Sequence, residues 1–214
     1  MKTDSLLKWL PSLVVLSGLA ALLTGCDAQE MQKPISMAVP NMDHLPLVDH
    51  PEYLNWSKFP IGTTIKRRNE IVNDNGVVVV LTTLKLIELS DKIAIVESQT
   101  TVEREGRIDE KPPQTFDYYA KFRLMEGLTI ERYSLPSPNA KKTGSEEIDV
   151  AGVKMMTDVY ECEGMLESGK IGIKLWRSDD FPGRVVRTET DFRDPTKSSS
   201  KEVTVSLIRP DESK

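Results

Sequence analysis

Residues 63–104 read TTIKRRNEIVNDNGVVVVLTTLKLIELSDKIAIVESQTTVER, and this stretch carries the strongest signal for the fold. It holds three runs rich in β-branched and apolar residues, at 63–72, 77–89 and 92–104. The motif Asn73-Asp74-Asn75-Gly76 is a strong hairpin signal, because asparagine and glycine tolerate positive φ. Ser90-Asp91 is a second turn. Connections this short cannot join parallel strands, so the stretch predicts an antiparallel three-stranded meander.

The remaining strands are predicted from alternation and turn signals. Residues 116–124 show the cleanest period of two, with apolar side chains at the even positions. We predict further strands at 128–133, 147–150, 153–163, 170–178, 184–193 and 202–208, and polar coil at 106–114 and 135–145. No helix is predicted in the mature chain. The expected fold is all-β, an antiparallel meander of about ten strands forming a sandwich or a partly open barrel, preceded by a signal-peptide helix and a coil tether.

The N-terminus reads as an export signal. Lys2 and Lys8 form a short basic region, and an apolar stretch follows at 13–23. The next motif, Leu23-Thr24-Gly25-Cys26, resembles the lipobox of bacterial lipoproteins. The resemblance implies cleavage before Cys26, diacylglycerol on its sulfur and fatty acylation (palmitate) of the new amine. Two or more acyl chains hold a protein stably on a membrane. Asp27 follows the lipidation site. The choice between inner and outer membrane stays open.

Three segments follow from this interpretation: a signal peptide at 1–25, the lipidated cysteine with a flexible tether at 26–52, and an extracytoplasmic β-domain at 53–214. The tether is predicted because it lacks periodicity and contains Pro34, Pro40, Pro46 and Pro51. Its methionines and histidines raise copper binding as a hypothesis. Their irregular spacing favours a plain linker instead, so no metal or other cofactor is expected. These residues are Met31, Met37, Met42, His44 and His50.

Charge narrows the class of partner. The precursor has a formal net charge of −5, and removing residues 1–25 changes it to −6, because Lys2, Lys8 and Asp4 are lost. An acidic protein is a poor ligand for nucleic acid, whose binding depends on Lys and Arg contacts to phosphate. The basic triplet Lys66-Arg67-Arg68 reads as a solvated strand edge.

No catalytic constellation is predicted. The only histidines, His44 and His50, fall in the tether, so Ser-His-Asp and Cys-His arrangements lack their base. Residues 164–170 have the spacing of a phosphate-binding loop, but Ile171 stands where Ser or Thr would hold Mg²⁺. We interpret that segment as a hairpin loop. The chain is therefore expected not to be an enzyme.

Paired carboxylates are the alternative to that expectation. Glu161/Glu163 and Glu189/Asp191 each share one strand face, whereas Asp179/Asp180 fall in a turn. A glycosidase-type mechanism would need two buried acids about 5–9.5 Å apart in a cleft. Solvated strand faces are the simpler interpretation. Cys162, once Cys26 carries lipid, has no disulfide partner and is expected to be a buried core thiol with an unfavourable thiolate.

Two functions remain open. The first is a non-catalytic envelope interaction or structural module, a β-domain on a tether that contacts another envelope protein. The alternative is a carrier or binding protein for an apolar ligand such as a lipid. The strand count and lipid anchor resemble the periplasmic lipoprotein-carrier half-barrels, although those proteins also have helices that lid the cavity.

Overall fold

The structure, a computed structural model, describes residues 43–135, 137, 139–166, 169–192 and 198–210. Two units are distinguished, residues 1–44 and 45–214. Only Asp43 and His44 of the first unit are described, so Cys26, the signal peptide and Met31, Met37 and Met42 lie outside the described residues. No described helix is long and apolar enough to cross a membrane.

The second unit consists of strands and two short helices. The first part contains β1 (Leu47–Asp49), α1 (Pro51–Trp56), β2 (Thr64–Asn73), β3 (Gly76–Leu89), β4 (Ile93–Arg104), β5 (Arg107–Glu110), β6 (Gln114–Tyr119), β7 (Lys121–Arg123) and α2 (Ile130–Tyr133). The second part contains β8 (Lys141–Val150), β9 (Val153–Leu166), β10 (Gly169–Arg177), β11 (Val185–Phe192) and β12 (Ser198–Ile208).

Ten of these strands form one antiparallel sheet, which confirms the predicted all-β class. Its order is β5-β4-β3-β2-β12-β11-β10-β9-β8, and β6 also pairs with β4. The first meander (β2 to β6) and the second (β8 to β12) are joined by pairing of β2 with β12. The sheet is not closed into a barrel. It is curved, however, because β8 contacts β12 although three strands separate them in the sheet.

The predicted hairpins are present, and one more was missed. Asn73 pairs with Gly76 and Val150 pairs with Val153, as the turn signals indicated. The predicted coil at 106–114 instead contains β5, which begins after the two-residue turn Glu105–Gly106. Both turn residues have positive φ, at 50° and 74°, the geometry of a tight type I′ hairpin. Glutamate is an unusual first residue for that turn, and all four β5 residues are exposed. The sequence therefore shows neither a turn motif nor an alternation of apolar and polar residues here.

The prediction that the mature chain lacks helices is wrong at two places. Helix α1 and strand β1 occupy residues 47–56, the last part of the predicted tether and the first part of the predicted β-domain. Pro51 begins α1 at a position where its missing N–H costs nothing. Helix α2 replaces the strand predicted at 128–133, and the Thr129 side chain caps it by accepting from the Arg132 N–H. Helix α1 has six residues and α2 has four, which is too few to show a helical period in the sequence.

Two strand boundaries also differ from prediction. The strand expected at 116–124 is divided at Ala120: β6 pairs with β4, whereas β7 pairs with β1. The Ala120 N–H donates to the Lys92 carbonyl, and its own carbonyl accepts from the His50 N–H. The predicted coil at 135–145 contains the start of β8, an edge strand whose first seven side chains are all exposed. A strand exposed on both faces shows no alternation, so the pattern could not reveal it.

The main hydrophobic core contains residues of α1, of both meanders and of the turn between β10 and β11. It includes the buried residues Trp56, Ile65, Leu84, Leu86, Ala94, Val96, Val150, Phe181 and Val186. Asn55 fixes the turn between β10 and β11 against α1, because its Nδ2 donates to the carbonyls of Asp179 and Phe181 and its Oδ1 accepts from the Gly183 N–H. Trp56 and Phe59, which follow Asn55 in the chain, are both buried.

Candidate functional site

A large open trough extends across one face of the sheet. Its volume is about 1420 Å³, above the few hundred to 1000 Å³ typical of small-molecule sites. Strands β2, β12, β11, β10 and β9 and the segment 139–143 contribute its lining residues. It is lined by Arg68, Glu70, Val72, Asn139, Ala140, Lys141, Thr143, Glu161, Cys162, Glu163, Gly172, Ile173, Lys174, Glu189, Thr190, Asp191, Ser199, Ser200, Lys201 and Val203.

Charged side chains of alternating sign cross the trough floor. The six residues are direct cross-strand neighbours from β8 to β2, and we call them the charge ladder: Lys141, Glu161, Lys174, Glu189, Lys201 and Glu70. The Lys174 Nζ lies 3.9 Å from a Glu161 carboxylate oxygen, and the Lys201 Nζ lies 3.8 Å from a Glu189 carboxylate oxygen. Opposite charges directly across a strand pair are favourable. The ladder is therefore neutral as a whole.

Further charged side chains lie in the rows on either side of the ladder. Two residues along each strand return the side chain to the same face. In one direction this row contains Arg68 and Arg187, which we call the cationic end; in the other it contains Glu163 and Asp191, the acidic end. Each arginine of the cationic end pairs with a ladder glutamate, Arg68 with Glu70 and Arg187 with Glu189. Of these four residues, Arg68, Glu163 and Asp191 line the trough, whereas Arg187 lines the smaller chamber beside it.

Trp176 holds the cations near the cationic end. It lies directly across from Arg187, is 2% exposed and donates its indole N–H to Glu146. The Arg187 guanidinium lies 4.4 Å from the ring centroid, and the Lys174 Nζ lies 5.0 Å from it. Cations at these distances are attracted to the face of an indole. Trp176 therefore positions Lys174 of the trough and Arg187 of the neighbouring row.

A smaller side chamber adjoins the trough. Its volume is about 340 Å³, and it shares Lys201 and Val203 with the trough as lining residues. The other lining residues are Ile148, Asp149, Val150, Val186, Arg187 and Thr204. The Arg187 Nε is buried without a hydrogen-bond partner among the described residues. Aliphatic walls beside the charged side chains of Asp149, Arg187 and Lys201 suit an apolar group attached to a polar one.

The structure brings together two of the three predicted acid pairs. Glu161/Glu163 and Glu189/Asp191 line the same trough, whereas Asp179 and Asp180 lie in the turn after β10. Glu161 and Glu189 each have a lysine within 4 Å. Both glutamates therefore take part in ion pairs between neighbouring strands.

Cys162 has its side chain on the strand face opposite Glu161 and Glu163, since adjacent strand residues point to opposite faces. It is half-buried rather than fully buried as expected. Burial raises the pKa of its thiol, and a hydrogen bond with Ser137 partly opposes this. The thiolate is therefore disfavoured by desolvation, in agreement with the direction expected.

His50 occupies an aromatic cluster, which contradicts its predicted place in an unstructured tether. Its ring centroid lies 5.7 Å from that of Tyr118, 5.0 Å from Phe122 and 5.8 Å from Tyr133. Its Nδ1 accepts from the Glu52 N–H at 3.1 Å and caps α1. Both the cap and the cluster keep the ring from the free, accessible state that a metal ligand needs. Within the described residues, no group of three or more histidine, cysteine or acidic side chains could hold a metal ion.

His50 should make stability depend on pH. Burial, and secondly the charge of Arg184, lower the pKa of His50 from 6.5 to about 4. Between pH 6.5 and 4 the unfolded chain therefore binds a proton that the folded chain rejects, so stability falls as the pH falls through this range. We expect this fall in the free energy of unfolding to be on the order of 2 kcal/mol, after allowance for partial solvation. It should be absent in His50→Asn, whose side chain still caps the helix.

Urea denaturation of wild type and variant from pH 7 to pH 4 checks this prediction. The difference between the two curves isolates His50 from the carboxylates that titrate in the same range. His44→Asn is the matched control, because His44 is exposed, and it should retain the wild-type slope. An unchanged slope in His50→Asn would contradict the prediction.

Comparison with known proteins establishes no family. No protein-family profile matches the sequence, and no curated protein matches it. Among solved structures, the chain is similar to an exported protein with a YmcC-like fold from Bacteroides fragilis, at 9% identity and a TM-score of 0.42, covering 71% of this chain and 97% of that one. It is also similar to the Mycobacterium tuberculosis lipoprotein LppX, at 12% identity, a TM-score of 0.36 and coverage of 76% and 94%.

A third similar structure is a LolA superfamily protein from Nitrosomonas europaea, at 13% identity and a TM-score of 0.25, covering 77% of this chain and 94% of that one. TM-scores in this range do not establish a shared fold. The function therefore has to be argued from the geometry of this chain.

Proposed function

We propose that this chain is a non-catalytic interaction module of the bacterial cell envelope, whose trough binds another envelope component. In this proposal the lipid on Cys26 holds the protein on the extracytoplasmic side of a membrane. The observation that carries the proposal is the trough of about 1420 Å³ with its charge ladder.

Charge in the trough separates an interaction surface from a carrier cavity. A site for an acyl chain is expected to be lined predominantly by apolar side chains. Nine of the lining residues of this trough are charged instead: Arg68, Glu70, Lys141, Glu161, Glu163, Lys174, Glu189, Asp191 and Lys201. Most are partly exposed, so their ion pairs are weak and can exchange for pairs with a partner. Such exchange contributes more to specificity than to affinity.

Photocrosslinking in the native envelope tests this proposal. A photoreactive amino acid replaces Ser199, an exposed residue of the trough, and in a second strain it replaces Asp91, an exposed residue of the β3–β4 turn. We expect one discrete adduct from position 199 and none from position 91. Mass spectrometry of the adduct gives its chemical class. If position 199 yields no adduct, or the same adducts as position 91, the proposal fails.

The side chamber supports a second candidate, binding of an amphipathic small molecule. Its aliphatic walls and its volume of about 340 Å³ fit the lower end of the range for ligand sites. Native mass spectrometry of the full chain, released from membranes in mild detergent, tests this function. A co-purified molecule that is lost after Val203→Lys, a change that puts a charged side chain into the chamber, would favour it. A bare mass in wild type would exclude tight binding of such a ligand.

A further inference from the structure

Strand β8 forms one edge of the ten-stranded sheet. In the part of the chain that the structure describes, β8 pairs only with β9. Its first seven residues, 141–147, are all exposed, whereas Ile148 and Val150 line the side chamber. A strand directs N–H and C=O groups to both sides, so an edge strand presents a row of them to a further strand. Residues 141–147 therefore offer a template for strand addition.

The opposite edge of the sheet is protected in a way that β8 is not. It consists of β5 and β6, with four and six residues, and Pro112-Pro113 lies between them. Short strands and prolines are common protection against edge-to-edge pairing. Strand β8 has ten residues and no proline. Its one irregularity is a bulge at Thr143, between Lys142 and Gly144, which shifts the side-chain faces by one residue without ending the strand.

The order of charges along β8 is self-complementary. Both lysines precede Gly144 and both glutamates follow it: Lys141-Lys142-Thr143-Gly144-Ser145-Glu146-Glu147. In an antiparallel pair of two copies that meet at Gly144, the lysines of each copy lie beside the glutamates of the other. Opposite charges across a strand pair are favourable, and like charges are unfavourable. Charge therefore favours this antiparallel arrangement over a parallel one, in which lysine would face lysine.

We propose that two copies of this chain associate through β8, as antiparallel neighbours related by a two-fold axis at Gly144. Because Thr143 is the extra residue of the bulge, Lys141 of one copy then lies opposite Glu146 of the other. Such a contact uses the same residues on both sides, so it closes as a dimer. The surface and the partner differ from those of the proposed function, and neither proposal depends on the other.

The charge ladder supports this register. It ends at Lys141, whose direct cross-strand neighbour in its own chain is Glu161. Glu146 lies on the same face as Lys141, because their partners on β9, Thr157 and Glu161, are four residues apart. In the dimer, Glu146 of the second copy lies on the other side of Lys141 and continues the alternation of charge. The two-fold axis is perpendicular to the sheet, so both troughs open on the same side.

The edge side chains keep the capacity for a second partner. Lys142 pairs with Asp158 and Glu147 with Lys154, and these four side chains are 41–78% exposed. Exposed ion pairs are weak, so they exchange readily for pairs with another copy. Glu146 accepts an indole N–H through one carboxylate oxygen, and its second oxygen can accept from a lysine. Pairing with a second copy therefore breaks no strong contact.

A cysteine on the two-fold axis tests the inference. Gly144→Cys is made in the full chain together with Cys162→Ser, and disulfide formation is followed in the native envelope under a mild oxidant. A Cβ added at Gly144 meets no atom within 4 Å, so the change should be tolerated. Directly opposite residues of paired strands have Cα atoms about 4.5–5.5 Å apart, within the range of a disulfide.

The matched control is Arg107→Cys, also with Cys162→Ser, because Arg107 is an exposed residue of the opposite edge. We expect the Gly144→Cys chain to form about tenfold more covalent dimer than this control, because only the symmetric pair holds two thiols together.

A charge exchange tests the register. Lys142→Glu and Glu147→Lys, each added to the Gly144→Cys chain, should lower the yield of dimer several-fold, because each brings like charges together between the copies. The double variant restores opposite charges and should recover most of the yield. Within one chain the two positions are about 15 Å apart along the strand, so recovery has to come from the second copy. Arg107→Glu, the same reversal on the opposite edge, should leave the yield unaltered.

Isotope mixing on the unaltered chain keeps the test valid if the cysteine variant fails to fold. Labelled and unlabelled chains are mixed in detergent and treated with a carbodiimide, which joins a lysine amine to a carboxylate in contact with it. We expect mixed-isotope peptides that join 141–142 to 146–147. If none forms, and Gly144→Cys gives no more dimer than Arg107→Cys, the inference is overturned. An adduct of the Gly144→Cys chain with a different protein in place of the dimer would overturn it as well.

Discussion

Replacement of Trp56 by alanine is expected to lower the free energy of unfolding by about 3–5 kcal/mol, the usual cost of removing a buried tryptophan. Trp56 is 1% exposed and belongs to the main core. It also packs against the turn between β10 and β11, where a Cβ added to Gly183 would lie 3.3 Å from its Cζ2 atom. The variant therefore loses packing between the helix, the sheet and this turn together.

Chemical denaturation followed by circular dichroism measures this loss. Leu54→Ala is the control on the same helix, since Leu54 is 46% exposed, and it should cost about 0.5 kcal/mol or less. If Trp56→Ala costs as little as Leu54→Ala, helix α1 contributes little to the core. That result would place the start of the β-domain nearer to Thr64, beyond the helix.

Replacement of Arg67 by methionine should be almost as damaging, for an electrostatic reason. The Arg67 side chain is 7% exposed, and its Nη1 lies 3.8 Å from a carboxylate oxygen of Glu202, which is itself 14% exposed. Its Nη2 also donates to the Val185 carbonyl. Methionine fills similar space but leaves the Glu202 charge buried without its partner. We expect a loss of about 3 kcal/mol in the free energy of unfolding, at the low end for a broken buried pair.

A double variant separates charge from packing. Arg67→Met with Glu202→Leu removes both charges, so it should recover at least half of the stability lost in the single variant. Arg68→Met is the neighbouring control: Arg68 also has a glutamate partner, but 43% of its side chain is exposed, and the change should cost less than about 1 kcal/mol. If the double variant is less stable than Arg67→Met, the loss is one of packing and not of charge.

The strands that the sequence predicted well are those with one buried face. In β10, Ile171, Ile173 and Leu175 alternate with Gly172 and Lys174, and the structure places the two sets on opposite faces. Tight turns such as the one before Gly76 are equally local, so residues close together in the chain determine them. The missed elements lacked this signal. Strand β8 is exposed on both faces along most of its length, and α1 is too short for a helical period.

The sequence predicted only part of the candidate site. The pairs Glu161/Glu163 and Glu189/Asp191 were recognised as sharing strand faces, because the side-chain period of a strand is two. That both pairs line one trough depends on β10, which pairs with β9 and β11 in a particular register. His50 was misplaced for a related reason. Its neighbours Tyr118 and Tyr133 come from distant parts of the chain, which no local pattern joins to a proline-rich segment.

Local patterns in the sequence were enough to specify the all-β class, most strand positions and the main hairpins, because alternation and turn chemistry act between residues that are near in the chain. The trough and its charge ladder, in contrast, arise only from long-range strand pairing. The first strand of one meander, β2, pairs with the last strand of the other, β12, and this pairing sets Arg68 and Glu70 beside Val203 and Lys201. Registers between distant strands follow from burial over the whole sheet, and a one-residue slip would turn the charge ladder to the opposite face.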